Sequence, residues 1–175
     1  MRIEYNCICI RNAEQKDCTQ LAKWWNDGKV MAHAGFPLGL GITAEEIAES
    51  LAGDSDDTRR RLIIEYRDIS IGEMSFRNKG DNVAEIGIKI CETDYQEQGL
   101  GRICLSLLIK ELFGMGYEKI ILDTNEKNLR AQHVYELLGF RKLRVNKDSW
   151  KDQLGNPQSS VDYELLPEDF NDYTK

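Results

Sequence analysis

Gln96-Glu97-Gln98-Gly99-Leu100-Gly101 joins a strand-like run ending near Cys91 to a long amphipathic helix beginning near Leu100. Two glycines one residue apart let the backbone turn tightly and bring its N–H groups close to a ligand. The first turn of the following helix adds N–H donors that lack intrahelical partners and a partial positive charge. Together they read as a phosphate site built from main chain. What the stretch lacks narrows the ligand. There is no GxxxxGK followed by Ser or Thr, so a Walker-type nucleotide loop is unsupported. The third glycine of a GxGxxG dinucleotide fingerprint would fall at Cys104, and no simple alternation of parallel strands and helices follows.

Further along, Asn128-Leu-Arg-Ala131-Gln-His-Val-Tyr135-Glu-Leu-Leu-Gly139-Phe140 places Asn128, Ala131 and Tyr135 at i, i+3 and i+7 on one helix face. The two blocks, in this order and at this spacing, resemble the GNAT superfamily of N-acetyltransferases. The acyl-CoA loop of that family reads Arg/Gln-x-x-Gly-x-Gly/Ala, and Gln96, Gly99 and Gly101 fill it. The resemblance runs from about Val83 to Arg141 and extends more loosely over the whole chain, in the order of its strands and helices. It implies an α/β fold of one domain, 1–175, with a mixed, mostly antiparallel sheet flanked by helices. The fourth and fifth strands of that sheet splay apart around the pantetheine arm of the cofactor.

By the same resemblance the acyl donor is acetyl-CoA, with no metal. It is held by Gln96, Glu97, Gln98, Gly99, Leu100, Gly101 and Arg102, by Ile88 and Ile90 of the preceding strand, and by Asn128 and Ala131. Tyr135 is implied as the acid that protonates the departing CoA thiolate. A phenol, with a pKa of about 10, keeps its proton at neutral pH and can give it to a strong base. A plain packing role beside Leu138 and Phe140 is the alternative.

Val83 to Cys91 alternates as a strand, with Ile86, Ile88 and Ile90 on one face and Glu85, Gly87 and Lys89 on the other. An acid on a central strand is costly to bury unless it has a chemical role or a partner. Lys89, on the same face, offers the partner. The chemical role would be that of a general base, because N-acetylation requires a neutral amine. Family members that use a strand carboxylate in this way carry it at the spacing of Glu85 from Gln96. Glu73 on the preceding strand is the alternate base, and water a third.

At 175 residues and 41% hydrophobic content the chain can fill one core. A formal charge of −7 argues against a nucleic-acid surface and suits a cationic acceptor, although it also serves solubility. Cys7, Cys9, Cys18, Cys91 and Cys104 form no CxxC and no Cys/His pairing, so zinc is not indicated. With no bilayer-length apolar stretch, and a charge within the first residues, the expectation is a soluble, reduced, cytoplasmic protein with no membrane partner.

Residues 3 to 10 read as a first strand, and Glu14 to Asn26 as a helix with Cys18, Leu21, Ala22 and Trp25 turned inward. Trp24 is left for a substrate entrance. Residues 28 to 43 are glycine-rich and read as a mobile loop. In this family the corresponding segment shapes the acceptor pocket, which singles out His33 and Phe36, though an exposed loop histidine is the simpler reading of His33. Thr43-Ala-Glu-Glu46 is a capping box opening a second helix. Leu62 to Arg67 and Ile69 to Arg77 form a hairpin around Arg67-Asp68, Lys119 to Asp123 a short buried strand, and the stretches to Val145 and from Ser159 a C-terminal hairpin. Residues 167 to 175 read as an ordered edge fraying into a tail.

The implied function is direct transfer of acetyl from acetyl-CoA to a primary amine of a small molecule or a protein N-terminus. The Trp24–Asp27 stretch most resembles the branch of ribosomal-protein N-terminal and spermidine acetyltransferases. An acyl-CoA-binding regulatory module and a docking-dependent acetylase of one protein partner stand as alternatives. Strand edges and the C-terminal hairpin offer places for a homodimer.

Overall fold

The computed structural model describes residues 1–175. One eight-stranded sheet runs through the molecule. Its strands are β1 (Arg2–Tyr5), β2 (Ile8–Asn12), β3 (Arg59–Tyr66), β4 (Ile69–Asn78), β5 (Val83–Ile90), β6 (Lys119–Asn125), β7 (Arg141–Lys151) and β8 (Pro157–Leu165). Their spatial order is β1-β2-β3-β4-β5-β6-β8-β7. Every neighbouring pair is antiparallel except β5 and β6. That parallel pair holds only from Val83↔Lys119 to Glu85↔Ile121, after which the two strands part.

The expected splay is present, one strand later in the chain order. Residues 3 to 10 form two strands, because Asn6 takes a left-handed backbone (φ 51°) and reverses the chain into a hairpin. Arg67 and Asp68 likewise have φ of 51° and 64°, the doubly left-handed turn that suits the twist of the β3–β4 hairpin.

Five helices flank the sheet: α1 (Cys18–Trp25), α2 (Gly28–Met31), α3 (Ala44–Leu51), α4 (Leu100–Gly114) and α5 (Leu129–Leu137). Helices α4 and α5 cover one face, where Leu105, Leu108 and Leu112 meet Met74, Phe76 and Leu122 in the main core. Helices α1 and α3 cover the other, where Leu21, Trp24 and Ile47 pack with Ile63 and Cys91. The capping box at Thr43 and Glu46 is formed in both directions. No helix is long and apolar enough to cross a membrane.

Two expectations for the first helix are overturned. Residues Gln15–Asp17 form a tighter three-residue turn, so α1 proper starts at Cys18 and its inward face runs Cys18, Leu21, Trp24. Trp24 is therefore buried, at 2% exposure, and Trp25 only half-buried. The glycine-rich 28–43 segment also carries the short helix α2, capped by Asp27.

Residues 167–173 pack against the domain, with Tyr173 hydrogen-bonded to both α4 and α5. Gly139, which ends α5 with φ 96°, lies so close to this segment that a side chain there would place its Cβ 1.9 Å from the Asp169 carbonyl oxygen. Gly139→Ala is expected to lower stability by about 2–4 kcal/mol, combining left-handed strain with overpacking. Thermal unfolding followed by circular dichroism would register this as a clear fall in Tm.

Candidate active site

The parting of β5 and β6 opens a cavity of about 780 Å³ between the α4–α5 side and the α2 side of the sheet. One wall is the Gln96–Gly101 loop. Gly99 has φ 77°, which only glycine takes without strain, and it turns the chain into α4. A Cβ on Gly101 would meet nothing closer than an Ile90 side-chain carbon at 3.9 Å, so its smallness leaves room on the cavity side. No side chain caps the α4 N-terminus, and its first-turn N–H groups stay open to a ligand.

Gln96, Glu97, Gly99, Gly101 and Arg102 line this wall, with Ile88 and Ile90 beside them and Asn128 and Ala131 opposite. Gln96 also holds the loop in place. Its Nε2 donates to the Ile90 carbonyl at 2.8 Å and its Oε1 accepts from Arg130 at 3.2 Å, pinning the loop to both β5 and α5. The side chains of Gln98 and Leu100 do not line the cavity. Gln98 turns away to donate to the Asp94 carbonyl, and Leu100 is buried in the core.

Asn128 caps α5 by accepting from the Ala131 N–H at 3.3 Å. One helical face then carries Ala131 and Tyr135 into the cavity. The Tyr135 ring packs edge-on against Phe140 and Tyr163, with centroids 5.8 and 5.7 Å away. Its hydroxyl takes no partner from the protein. Burial, then the nearby Asp123 carboxylate, pushes its pKa up, so the phenol stays protonated.

The acids are arranged differently from expectation. Glu85 does not line the cavity. It stands at the last paired position of β5 and β6, before the splay opens, with Arg77 at 3.8 Å and Lys79 at 3.6 Å rather than Lys89 as its cationic neighbours. Glu73 is buried outside the cavity, accepting from the Trp25 indole at 2.8 Å and the Lys89 ammonium at 3.1 Å. A buried carboxylate needs such partners, and the indole contact also holds the sheet to α1. Trp24 donates to Glu92 at 2.7 Å in the core, and Phe36 is half-buried; neither lines the cavity, whereas His33 does.

Asp123 is the acid of the sheet that faces the opening; the other lining acid, Glu97, stands on the loop beside Arg130. Asp123 lies two residues past Ile121 on β6, where β5 has already departed. Its side chain stays exposed at the cavity mouth; partial desolvation by the surrounding walls, then the negative charges of Glu85 and Asp162, raise its pKa above the ordinary carboxylate value. Its signal in the sequence is an acid directly after the buried run Ile120-Ile-Leu122. Trp150 and Ser160, from β7 and β8, close the same end. Trp150 packs directly on Gly35, and Gln153 at the hairpin tip donates its N–H to the Gly35 carbonyl at 2.8 Å, accepts from the Leu38 N–H at 3.0 Å and donates to the Gly39 carbonyl at 2.9 Å. The hairpin and the glycine-rich segment are thus clasped into a roof over this end of the cavity.

None of the five cysteines lines the cavity. Burial raises the Cys104 thiol to about 12 and moves Cys91 in the same direction, so neither is a ready nucleophile.

Among curated proteins, a [ribosomal protein bS18]-alanine N-acetyltransferase of Escherichia coli strain K12 is 39% identical over 57 residues, 33% of this chain and 38% of that enzyme. An uncharacterized protein of Methanocaldococcus jannaschii is 30% identical over 79 residues, 45% of this chain and 16% of that protein. The chain thus matches well under half the length of either relative. Among solved structures, a spermidine N-acetyltransferase from Vibrio cholerae in complex with CoA and spermine superposes with a TM-score of 0.80 at 21% identity, covering 93% of this chain and 97% of that one. A ribosomal L7/L12 alpha-N-protein acetyltransferase in complex with coenzyme A gives 0.83 at 16% identity, covering 95% and 98%. These likenesses show the fold. The model of the acetyltransferase (GNAT) domain matches residues 8–141, which is most of the chain, and the protein belongs to that family.

Proposed function

We propose that residues 1–175 act as one unit that transfers acetyl from acetyl-CoA directly to a primary amine, of a small molecule or a protein N-terminus, in a cytoplasmic setting. The observation that carries this reading is a single cavity joining the open amides of α4 to an unpartnered phenol and a free carboxylate. The residues fit the donor. The loop amides and Arg102 supply positive potential for its phosphates, and the strand edges freed at the splay supply backbone partners for its pantetheine arm.

When bound, the donor supplies an activated acyl thioester. Asp123 accepts a proton from the incoming ammonium, directly or through one water, leaving the nitrogen lone pair free to attack. Tyr135 gives its proton to the sulfur as the C–S bond breaks. The roof formed by Trp150 and the His33 segment holds the amine beside the thioester, so that the reaction proceeds within one complex.

The test is release of CoA thiol from acetyl-CoA against polyamines, amino acids and peptide N-termini. Release with one amine class is the expected result and names the acceptor. Absence of release with every acceptor, in folded protein that binds CoA, would overturn catalysis and leave an acyl-CoA-binding module.

A further inference from the structure

Arg102 differs from the other cations around the cavity. It stands in the first turn of α4, lines the cavity, and forms no ion pair; its Nε is buried without a hydrogen-bond partner. What the guanidinium does have is a platform: its Cζ lies 4.2 Å from the centroid of the Tyr173 ring. A guanidinium held over a ring face keeps the N–H groups that point away from the ring free for an anion.

Tyr173 is itself fixed from two sides. Its N–H donates to Ser106 Oγ of α4 at 3.1 Å, and its hydroxyl donates to the Leu137 carbonyl of α5 at 3.3 Å. The neighbouring residues repeat the pattern. Asn171 donates its N–H to the Leu138 carbonyl at 3.0 Å, Phe170 packs edge-on against Phe113 of α4, and Asp172 lies 3.5 Å from Lys110. Residues 167–175 therefore strap α4 to α5, the two helices that bound the donor side of the cavity.

We infer that Tyr173 is a positioning residue for the donor: by holding the Arg102 guanidinium over its ring, it presents the free N–H groups to the phosphate groups of CoA. The inference rests on the acetyl-CoA reading above. The chemistry asks for an anion there, since an unneutralised guanidinium with a buried, unpaired N–H gains most from a charged acceptor. Neither group touches the reacting atoms, so binding is affected and the chemical step is not.

Calorimetric titration of the full chain with CoA tests this. Tyr173→Leu is expected to weaken binding roughly three- to tenfold, the range of a partly desolvated cation–π contact. Tyr173→Phe, which keeps the ring, should bind within twofold of the wild type. In turnover, the leucine variant should raise KM for acetyl-CoA and leave kcat unchanged. In an Arg102→Leu background Tyr173→Leu should have no further effect, which a general loosening of the fold would not reproduce. Equal CoA affinity for wild type and Tyr173→Leu, or additive losses in the double variant, would overturn the inference. If the leucine variant does not fold, Tyr173→Trp carries the test: affinity at or above the wild type supports the ring's role, and severalfold weaker affinity overturns it. Failure of the wild type to bind CoA would instead overturn the donor assignment itself.

Discussion

Asp123→Asn is expected to lower kcat/KM by about 10²–10⁴, the contribution of a positioned general base. The substitution keeps size and polarity and removes only the ability to hold a proton, so a folded variant with intact CoA binding and near-normal turnover would exclude the role. The pH dependence gives a second handle. Asp123 must be ionised to act, and partial desolvation at the cavity mouth together with Glu85 and Asp162 raises its pKa. The rate should therefore rise with pH through a value above that of an ordinary aspartate. Glu85→Gln removes one of the repelling charges and should move this acidic limb to lower pH, with the plateau rate retained. That result would separate a tuning role for Glu85, outside the cavity, from the proposed role of Asp123 as the base.

Stability follows with the opposite sign. A carboxyl whose pKa is raised by folding favours the folded state in its protonated form. Its contribution is full below the ordinary aspartate value and is lost as pH rises through the raised one. At neutral pH the charged Asp123 opposes folding, and Asp123→Asn should unfold at a slightly higher temperature than the wild type. An inactive variant that is more stable is the pattern of a residue kept for its chemistry.

Tyr135→Phe is expected to reduce kcat by roughly 10²-fold or more while leaving KM for acetyl-CoA nearly unchanged. The ring contacts with Phe140 and Tyr163 survive in phenylalanine, and no protein hydrogen bond is lost, so the Tm should stay within about a degree, as expected for a change that leaves packing intact. Retained kcat would leave Tyr135 as a packing residue. The single-turnover rate decides this cleanly, because it isolates the transfer step from product release.

Much of this site is written in consecutive residues. The left-handed Gly99, the open first turn of α4, and the i, i+3, i+7 face of Asn128, Ala131 and Tyr135 depend on backbone geometry and helical period, both local properties of the chain. The capping box at Thr43 and the Arg67-Asp68 turn are legible for the same reason. The helix phase at Trp24 is not, because a three-residue turn before α1 shifts it by a fraction of a turn, and sequence periodicity carries no marker for that shift.

What the sequence by itself determined is the fold family, the Gln96–Gly101 turn into α4 and the helix face that carries Tyr135, since each follows from residues close along the chain. Only the tertiary structure decided which acid stands in the open splay. Alternation assigns Glu85 and Asp123 to faces of their strands, but where β5 leaves β6 depends on how the whole sheet is paired and twisted. The same holds for Lys89 choosing Glu73 across the hairpin, for Gln153 closing over Gly35 and Leu38, and for Tyr173 lying under Arg102. Each joins residues that only packing brings together, and no local period encodes the meeting of chain segments so far apart.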